Sequence, residues 1–302
     1  MVLGLVLGLL IGPISPPQSI HPAPLTALLD RAAESAQRYT DEMRNLAADE
    51  TRETEIYLRS GAVQKRRKTR ASLVVHQAGA NTLAEFRRIF EVDGRLVKTG
   101  EDRLAPLLRD LSNAESTARE LELIERESSK YDLDEMRMRG MSLNQAWPLE
   151  EPEFRKNAIF RLEGTDKIAG HDTMVVRYEN FWRTPDVWRT RDILDLVKPT
   201  RIFERGRIWI DSETARIWRY ETETMVEEPT MSEAAVWDRM EFYYAPGPMG
   251  IPAPQKIVWT INTTVSRDKG KLRLSRKGKL TAEYGPFKRF GAEVKITPVD
   301  QQ

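Results

Sequence analysis

Apolar and polar residues alternate along most of the chain from residue 158 onward, and this pattern constrains the fold more than any other feature. Met174, Val176 and Tyr178 fall on one side of a strand, and Ile257 and Trp259 repeat the pattern later. Strand side chains point alternately to the two faces of a sheet, so the pattern predicts an antiparallel sheet with one wetted and one covered face. The predicted strands are Ala158–Glu163, Thr173–Asn180, Arg207–Asp211, Arg216–Val226, Ala235–Tyr244, Gln255–Thr264 and Lys271–Tyr284.

The first half of the chain predicts one helix followed by hairpins. Apolar residues recur every three or four positions from Leu25 to Leu46, which is typical of an amphipathic helix. Asp93-Gly94 predicts a two-residue hairpin turn, because a type I′ turn needs positive φ at both positions. The segment 95–98 would begin the returning strand. The strands predicted before this turn are Thr51–Arg59, Arg70–Gln77 and Thr82–Val92.

Two more helices are predicted as an insertion around residues 101–131. Leucines mark the first, from Leu104 to Leu111, and a capping box from Ser112 to Glu115 begins the second. Residues 146–153 contain two prolines and predict a loop.

The N-terminus predicts a leader. Residues 1–29 carry no charge, and residues 2–11 are apolar or glycine, the length of the apolar region of a signal peptide. A basic stretch before it is missing, so we interpret residues 1–24 as a signal peptide or an apolar leader that stays attached. An exported protein of the bacterial periplasm or cell envelope is expected.

Residues 25–302 are interpreted as a single domain, because no linker-like composition divides them. The fold class predicted is α+β: a curved antiparallel sheet forming an incomplete barrel, with an N-terminal helix and two inserted helices.

Composition and motifs argue against several classes of function. The chain has no cysteine, which excludes disulfides, thiol catalysis and cysteine-bound metals. A net charge of +1 argues against nucleic-acid binding. His21, His76 and His171 form no metal-binding motif, and no phosphate-binding loop or nucleophile elbow occurs. We therefore assign no catalytic residue, no metal and no cofactor.

Aromatic residues in the predicted strands are the candidate ligand site. If the curved sheet places part of this set on its concave face, they line an apolar cleft; otherwise they pack against the inserted helices. The set comprises Phe86, Phe90, Trp209, Trp218, Tyr220, Phe242, Tyr244 and Trp259.

Positive charge collects near the C-terminus. Residues 266–290 contain nine basic and two acidic residues. These hairpins could contact an anionic membrane surface, or they could simply protect the strands from edge-to-edge pairing.

The segment from Gly206 to Ile217 resembles a Trp-Ile-Asp hairpin of the half-barrel proteins of the LolA, LolB and RseB type. Asp211 would cap the turn and Thr214 would close it. Ala215 replaces the usual glycine, at a cost of about 1 kcal/mol if the position needs positive φ. Those proteins are exported and carry or sense lipids and lipoproteins.

A broader resemblance, from about Tyr39 to Phe290, is to uncharacterised exported bacterial proteins. It rests on short pieces at 90–95, 127–133, 160–164, 168–170 and 284–290 together with the Trp-Ile-Asp hairpin. The resemblance implies a fold, and it implies function only by analogy.

The leading hypothesis is a non-enzymatic protein that binds a lipid, a lipoprotein or another hydrophobic ligand on the concave face. The first alternative is an envelope interaction or sensor module without a small ligand. The second is a hydrolase using His76 or His171 with neighbouring carboxylates.

Overall fold

A twelve-stranded antiparallel sheet forms the frame of the molecule. The computed structural model describes residues 23–79, 82–97, 123–124, 126–133, 136, 145–180, 201–227, 233–262, 264–268 and 271–289. The strands are β1 (Leu46–Tyr57), β2 (Val63–Gly79), β3 (Thr82–Val92), β4 (Arg95–Leu96), β5 (Ala158–Ile168), β6 (His171–Asn180), β7 (Arg201–Asp211), β8 (Ile217–Glu227), β9 (Ala235–Pro246), β10 (Pro252–Ile261), β11 (Thr264–Asp268), β12 (Lys271–Ser275), β13 (Gly278–Tyr284) and β14 (Lys288–Arg289).

The strand order keeps the sheet open. It runs β4-β3-β2-β1-β13-β10-β9-β8-β7-β6-β5, and β14 pairs with β1 beside this path. β4 and β5 stand at opposite ends of the order. The N-terminal hairpins join the later strands where β1 pairs with β13, from Glu50 opposite Tyr284 to Ile56 opposite Gly278. The fold is an α+β arrangement around a curved, open antiparallel sheet.

One face of the sheet is covered by the first helix, α1 (Ala23–Glu42). Leu29, Ala32, Ala36 and Tyr39 of α1 are buried in one core cluster with strand residues such as Tyr244. We call this side of the sheet the helix-covered face and the opposite side the outer face. In β1 every second residue from Leu46 to Ile56 is buried, which is the period of two that a strand with one covered face requires.

Helix α1 is shorter than the sequence predicted. Glu42 ends it, and Asn45 then takes a φ of +56°. A left-handed residue cannot continue a right-handed helix, and asparagine tolerates this conformation better than most residues. Leu46, predicted as the last helical residue, is instead the first residue of β1 and is fully buried.

The predicted loop at residues 146–153 was wrong. It contains helix α2 (Trp147–Glu150) and the start of helix α3 (Pro152–Asn157). Both prolines occupy the first turn of a helix, where the backbone N–H has no intrahelical partner to lose. Short single-turn helices also form at Ser129–Tyr131 and Pro248–Gly250.

Several strand boundaries also differ from prediction. The last predicted strand is divided at residues 276–277 into β12 and β13, and β11 with β12 forms a separate two-stranded sheet. β5 and β7 are longer than predicted, while β10 begins at Pro252 and ends at Ile261. Most of the predicted insertion at 101–131, and the leader except its last two residues, lie outside the described residues. None of the described helices combines the length and apolarity needed to cross a membrane.

Candidate functional site

Five of the eight predicted aromatic residues belong to the core cluster on the helix-covered face. They are Trp218, Tyr220, Phe242, Tyr244 and Trp259. The pairing of the strands explains why these residues share a face. Tyr220 of β8 lies opposite Phe242 of β9, and Trp259 of β10 lies opposite Met240 of β9. The rings of Tyr220 and Phe242 stack with centroids 5.4 Å apart.

The other three aromatic residues lie on the outer face, so the structure divides the predicted set between the two faces of the sheet. Trp209 lies opposite Arg219, whose guanidinium carbon is 4.5 Å from the indole centroid, and the Trp209 Nε1 donates to Asp166 at 3.1 Å. Phe86 lies opposite Val74, whereas the next residue of β3 faces the covered side. Phe90 lies 5.3 Å from the guanidinium carbon of Arg70, at a register shift in the β2–β3 pair.

A hydrogen-bonded group of tyrosines lies on the helix-covered face across β6, β7 and β8. The Tyr178 hydroxyl donates to Glu204 at 3.0 Å and lies 3.1 Å from the Tyr220 hydroxyl. Thr222 also donates to Glu204, at 2.7 Å. Burial raises the pKa of both tyrosines, so they remain neutral hydrogen-bonding groups.

Gly206 makes room for this group. It lies opposite both Tyr178 and Thr222. A Cβ atom at this position would lie 2.0 Å from the Glu221 carbonyl oxygen and 2.7 Å from the Tyr178 ring. The glycine is therefore required by close contact rather than by its φ angle.

Buried charges lie at the other end of the same face. Arg87 on β3 donates to Glu50 at 2.8 Å and to Glu85 at 2.9 Å, and all three side chains are at most 7% exposed. Arg52 pairs with Asp132 at 2.9 Å close to them in the sheet. Removing one partner of a buried pair leaves an uncompensated charge, so substitution of any of these side chains alone is expected to destabilise the fold.

A third group, under α1, combines phenols and a carboxyl. The rings of Tyr39 and Tyr244 meet edge to face at 6.4 Å. Glu150 of α2 lies in electrostatic reach of both. Burial raises the pKa of Glu150 from 4.5 to about 7. The pKa of Tyr39 is raised by burial first and then by Tyr244, Glu85, Glu150 and Glu42.

Several buried polar atoms of this face have no hydrogen-bond partner in the described part of the chain. They include the Tyr39 hydroxyl and the Nε1 of Trp259 and of Trp218. Tyr39 is 2% exposed and Trp259 is 4% exposed, so bulk water does not satisfy these donors. Buried donors of this kind are rare in folded proteins and call for an explanation.

The Trp-Ile-Asp hairpin forms a tight structural turn. Asp211 Oδ1 accepts hydrogen bonds from the backbone N–H of Glu213 at 2.9 Å and of Thr214 at 2.7 Å. Ala215 has a φ of +57°, the conformation that makes glycine usual in this place. Burial acts to raise the pKa of Asp211, but the hydrogen bonds from Thr214, Glu213 and His171 outweigh it and lower the pKa. In the β3–β4 turn, Asp93 and Gly94 have φ of +50° and +77°.

His171 has a structural setting. Its Nδ1 lies 2.9 Å from Asp211 Oδ2, and its ring stacks on Trp218 with centroids 4.1 Å apart. The side chain of His76 and the whole of His21 lie outside the described residues. Among the residues that are described, no three histidine, aspartate or glutamate side chains are grouped to hold a metal ion.

Polar contacts fasten α1 at several points along its length. Asp30 pairs with Arg155 of α3, and Arg31 donates to the Glu213 carbonyl oxygen in the β7–β8 turn. Near the end of the helix, Glu42 accepts from Arg216, the residue before β8, at 2.9 Å. The helix is thus tied to the rim of the sheet by exposed polar groups and to its face by apolar ones.

The sequence identified part of this site. Alternation placed Tyr220, Phe242 and Trp259 among the candidates, but Tyr39 was recognised only as a position on the apolar side of α1. Glu150 was missed because it fell in a predicted loop. No local pattern marks a buried carboxyl, since its environment is created by packing between α1, α2 and β9.

Comparisons with known proteins place the chain near several solved structures. No family model and no curated protein matches it. It is similar to a DUF1329 family protein from Desulfovibrio piger, at 10% identity and a TM-score of 0.34 over 90% of this chain and 95% of that one. A LolA superfamily protein from Nitrosomonas europaea matches at 10% identity and a TM-score of 0.28, over 87% and 92%. The lipoprotein LppX from Mycobacterium tuberculosis matches at 9% identity and a TM-score of 0.27, over 90% and 99%.

Proposed function

We propose that this chain is an exported, non-enzymatic protein that binds a lipid or another hydrophobic ligand between α1 and the helix-covered face of the sheet. The apolar part of the ligand would lie against Phe242, Met240 and Trp259. Removing apolar surface from water supplies the affinity, at about 25 cal/mol for each Å² buried. The leader that the sequence predicts at residues 1–24 supports export.

The observation that carries the proposal is a pair of buried donors, the Tyr39 hydroxyl and the Trp259 Nε1, that have no hydrogen-bond partner in the described part of the chain. An unsatisfied buried donor costs about 1–3 kcal/mol. A ligand with acceptor atoms would remove this cost on binding. The donors thus provide polar anchor points within an apolar surface, the usual composition of a small-molecule site.

The two donors mark an elongated site. Tyr39 contacts Tyr244, and Trp259 lies opposite Met240, four residues away on the same strand. Four residues of a strand span about 13 Å. An extended chain with polar atoms near both ends suits this spacing better than a compact ligand does.

The basic C-terminal hairpins support an accessory role in the same proposal. β11 and β12 form a separate ribbon that continues the β10–β13 hairpin, and its sequence is rich in lysine and arginine. A basic ribbon is attracted to an anionic membrane surface, from which a lipid could be received.

A matched pair of tryptophan variants tests the proposed site. Trp259→Phe removes a donor from the helix-covered face and keeps most of the ring area, whereas Trp209→Phe makes the same change on the outer face. Uptake of a fluorescent long-chain lipid analogue should weaken in Trp259→Phe and remain at the wild-type level in Trp209→Phe. Equal effects in the two variants, or no uptake by the wild-type protein, would refute the assignment.

A further inference from the structure

A polar cleft lies on the outer face of the sheet, over β1 and between β2 and β13. Its volume is about 210 Å³. The pairing of the strands explains its position, because Glu53 of β1 lies opposite both Lys68 of β2 and Thr281 of β13. In β1 the residues that line the cleft alternate with the buried row of the helix-covered face. The lining side chains are all polar or charged, and they are Thr51, Glu53, Glu55, Lys68, Lys279, Thr281 and Glu283.

The three carboxylates of the cleft are held in place by cations around it. The Nε of Arg66 donates to Glu55 at 2.9 Å and lies 3.2 Å from Glu53. The ammonium group of Lys256 lies 3.0 Å from Glu283. These contacts use one oxygen of Glu53 and one of Glu283. The second oxygen of each has no partner among the described residues, so it can accept a further hydrogen bond.

The two lysines of the cleft supply hydrogen-bond donors. Lys68 and Lys279 belong to the strands on either side of β1, and in the part of the chain that the structure describes neither ammonium group forms an ion pair. An ammonium group carries three donors and no acceptor, whereas a carboxylate only accepts. The hydroxyls of Thr51 and Thr281, which can do both, complete the lining. The cleft therefore presents donors and acceptors side by side rather than charge of one sign.

We propose that this cleft binds an uncharged, hydroxyl-rich group of the size of one sugar unit. A sugar hydroxyl donates one hydrogen bond and accepts others, so neighbouring hydroxyls of one ring can satisfy carboxylates and ammonium groups together. A small anion would meet the glutamates and a small cation would meet the lysines, and each would be repelled.

The size and place of the cleft support a small polar ligand. Its 210 Å³ is below the range of about 300–1,000 Å³ that is typical of pockets for drug-sized ligands. One sugar unit suits this volume better than an acyl chain does, because every lining side chain is polar or charged. The cleft lies on the opposite face of the sheet from the proposed lipid site, so the inference does not depend on lipid binding.

Backbone amide chemical shifts of the isotope-labelled full chain test the inference. Methyl β-glucoside, methyl β-galactoside, methyl α-mannoside and N-acetylglucosamine would each be titrated, with glycerol phosphate and choline as charged probes. We expect at least one sugar to cause saturable shifts at Thr51, Glu53 and Thr281, and to bind more tightly than either charged probe. Absence of saturable shifts with all four sugars, or tighter binding of a charged probe, would overturn the inference.

Variants of the lining provide the second arm. Glu53→Gln and Lys68→Met each remove one charge from an exposed side chain, so folding should be preserved. Each should weaken sugar binding at least about fivefold, because a hydrogen bond to a charged group is lost. Glu223→Gln is the matched control, since Glu223 is paired with Arg205 at 2.8 Å on the outer face but does not line the cleft. Equal weakening in the control, or unchanged affinity in both cleft variants, would overturn the inference.

A tetramer of the sugar that binds most tightly separates two sources of the ligand. Tighter binding of the tetramer than of the single sugar would indicate a unit within a glycan chain. Equal or weaker binding would indicate a free sugar or a terminal one. Both results support the cleft as a sugar site, provided that the shifts at Thr51, Glu53 and Thr281 are the same for the tetramer and the single sugar.

Discussion

Replacing Glu150 by glutamine should change how the stability of the protein depends on pH. Burial raises the pKa of this carboxyl from 4.5 to about 7, so the folded state holds the proton more tightly than the unfolded state does. The stability that comes from this group is therefore fully present below pH 4.5 and is lost as the pH rises through 7. Glutamine does not titrate and carries no such penalty.

The magnitude follows from the two pKa values. Each pH unit between them is worth about 1.4 kcal/mol, so the ionised wild-type carboxyl destabilises the folded state by about 3 kcal/mol at high pH. At pH 5 the ionised carboxyl should cost the wild type only about 1 kcal/mol relative to Glu150→Gln. Between pH 5 and pH 8.5 the advantage of the variant should grow by about a further 2–3 kcal/mol.

Urea unfolding of the ligand-free proteins, followed by tryptophan fluorescence, measures this difference. Every other titratable group is common to the two proteins, so its effect cancels in the comparison. Glu153→Gln is the matched control, because Glu153 is an exposed carboxylate on the neighbouring helix α3. A stability difference between Glu150→Gln and wild type that stays constant from pH 5 to pH 8.5 would show that Glu150 is not held in a desolvated site.

Three further substitutions test the packing of the helix-covered face. Tyr39→Phe should leave the free energy of unfolding within about 0.5 kcal/mol of the wild type, because its hydroxyl has no hydrogen-bond partner among the described residues. Tyr178→Phe breaks hydrogen bonds to Glu204 and Tyr220 and should lower the free energy of unfolding by about 1–2 kcal/mol. Equal losses of stability in urea unfolding would contradict the difference assigned to the two hydroxyls. Gly206→Ala should lower the free energy of unfolding by more than about 2 kcal/mol, because the added Cβ would overlap the Glu221 carbonyl oxygen and the Tyr178 ring. A thermal unfolding midpoint equal to that of the wild type would show that the structure relaxes around the new methyl group. Ala215→Gly should change the free energy of unfolding by less than about 1 kcal/mol in either direction, because relief of the positive φ is offset by the loss of a buried methyl group. A larger change in denaturant unfolding would show that one of the two effects dominates.

Period-two patterning made much of the sheet predictable. Val176 and Tyr178 are both fully buried on the helix-covered face, as their alternation with polar neighbours indicated. The boundaries of β3 were predicted to the residue. The order of the strands in the sheet was harder to predict from the local pattern, because it depends on long-range pairing such as that of β1 with β13.

The errors have physical causes that local sequence does not record. Ile208, Trp209 and Ile210 are three consecutive apolar residues, so alternation could not tell that the indole belongs on the outer face, where Arg219 and Asp166 hold it. Pro148 and Pro152 were interpreted as helix breakers, although each lies in the first turn of a helix, where proline is tolerated.

The chemistry of the site was the least predictable part. A tyrosine on an amphipathic helix is ordinarily a core residue, and a glutamate between two nearby prolines is ordinarily a loop residue. Only packing of α1 and α2 against β9 turns Tyr39 and Glu150 into a buried donor and a desolvated acid. That environment is a property of the assembled fold.

Native mass spectrometry of the protein recovered from an exporting bacterium, followed by organic extraction of what remains bound, tests the central claim most directly. The account predicts a bound lipid at a defined stoichiometry, retained in Trp209→Phe and depleted in Trp259→Phe. A mass equal to that of the polypeptide alone, unchanged after incubation with lipids, would contradict a binding site between α1 and the sheet.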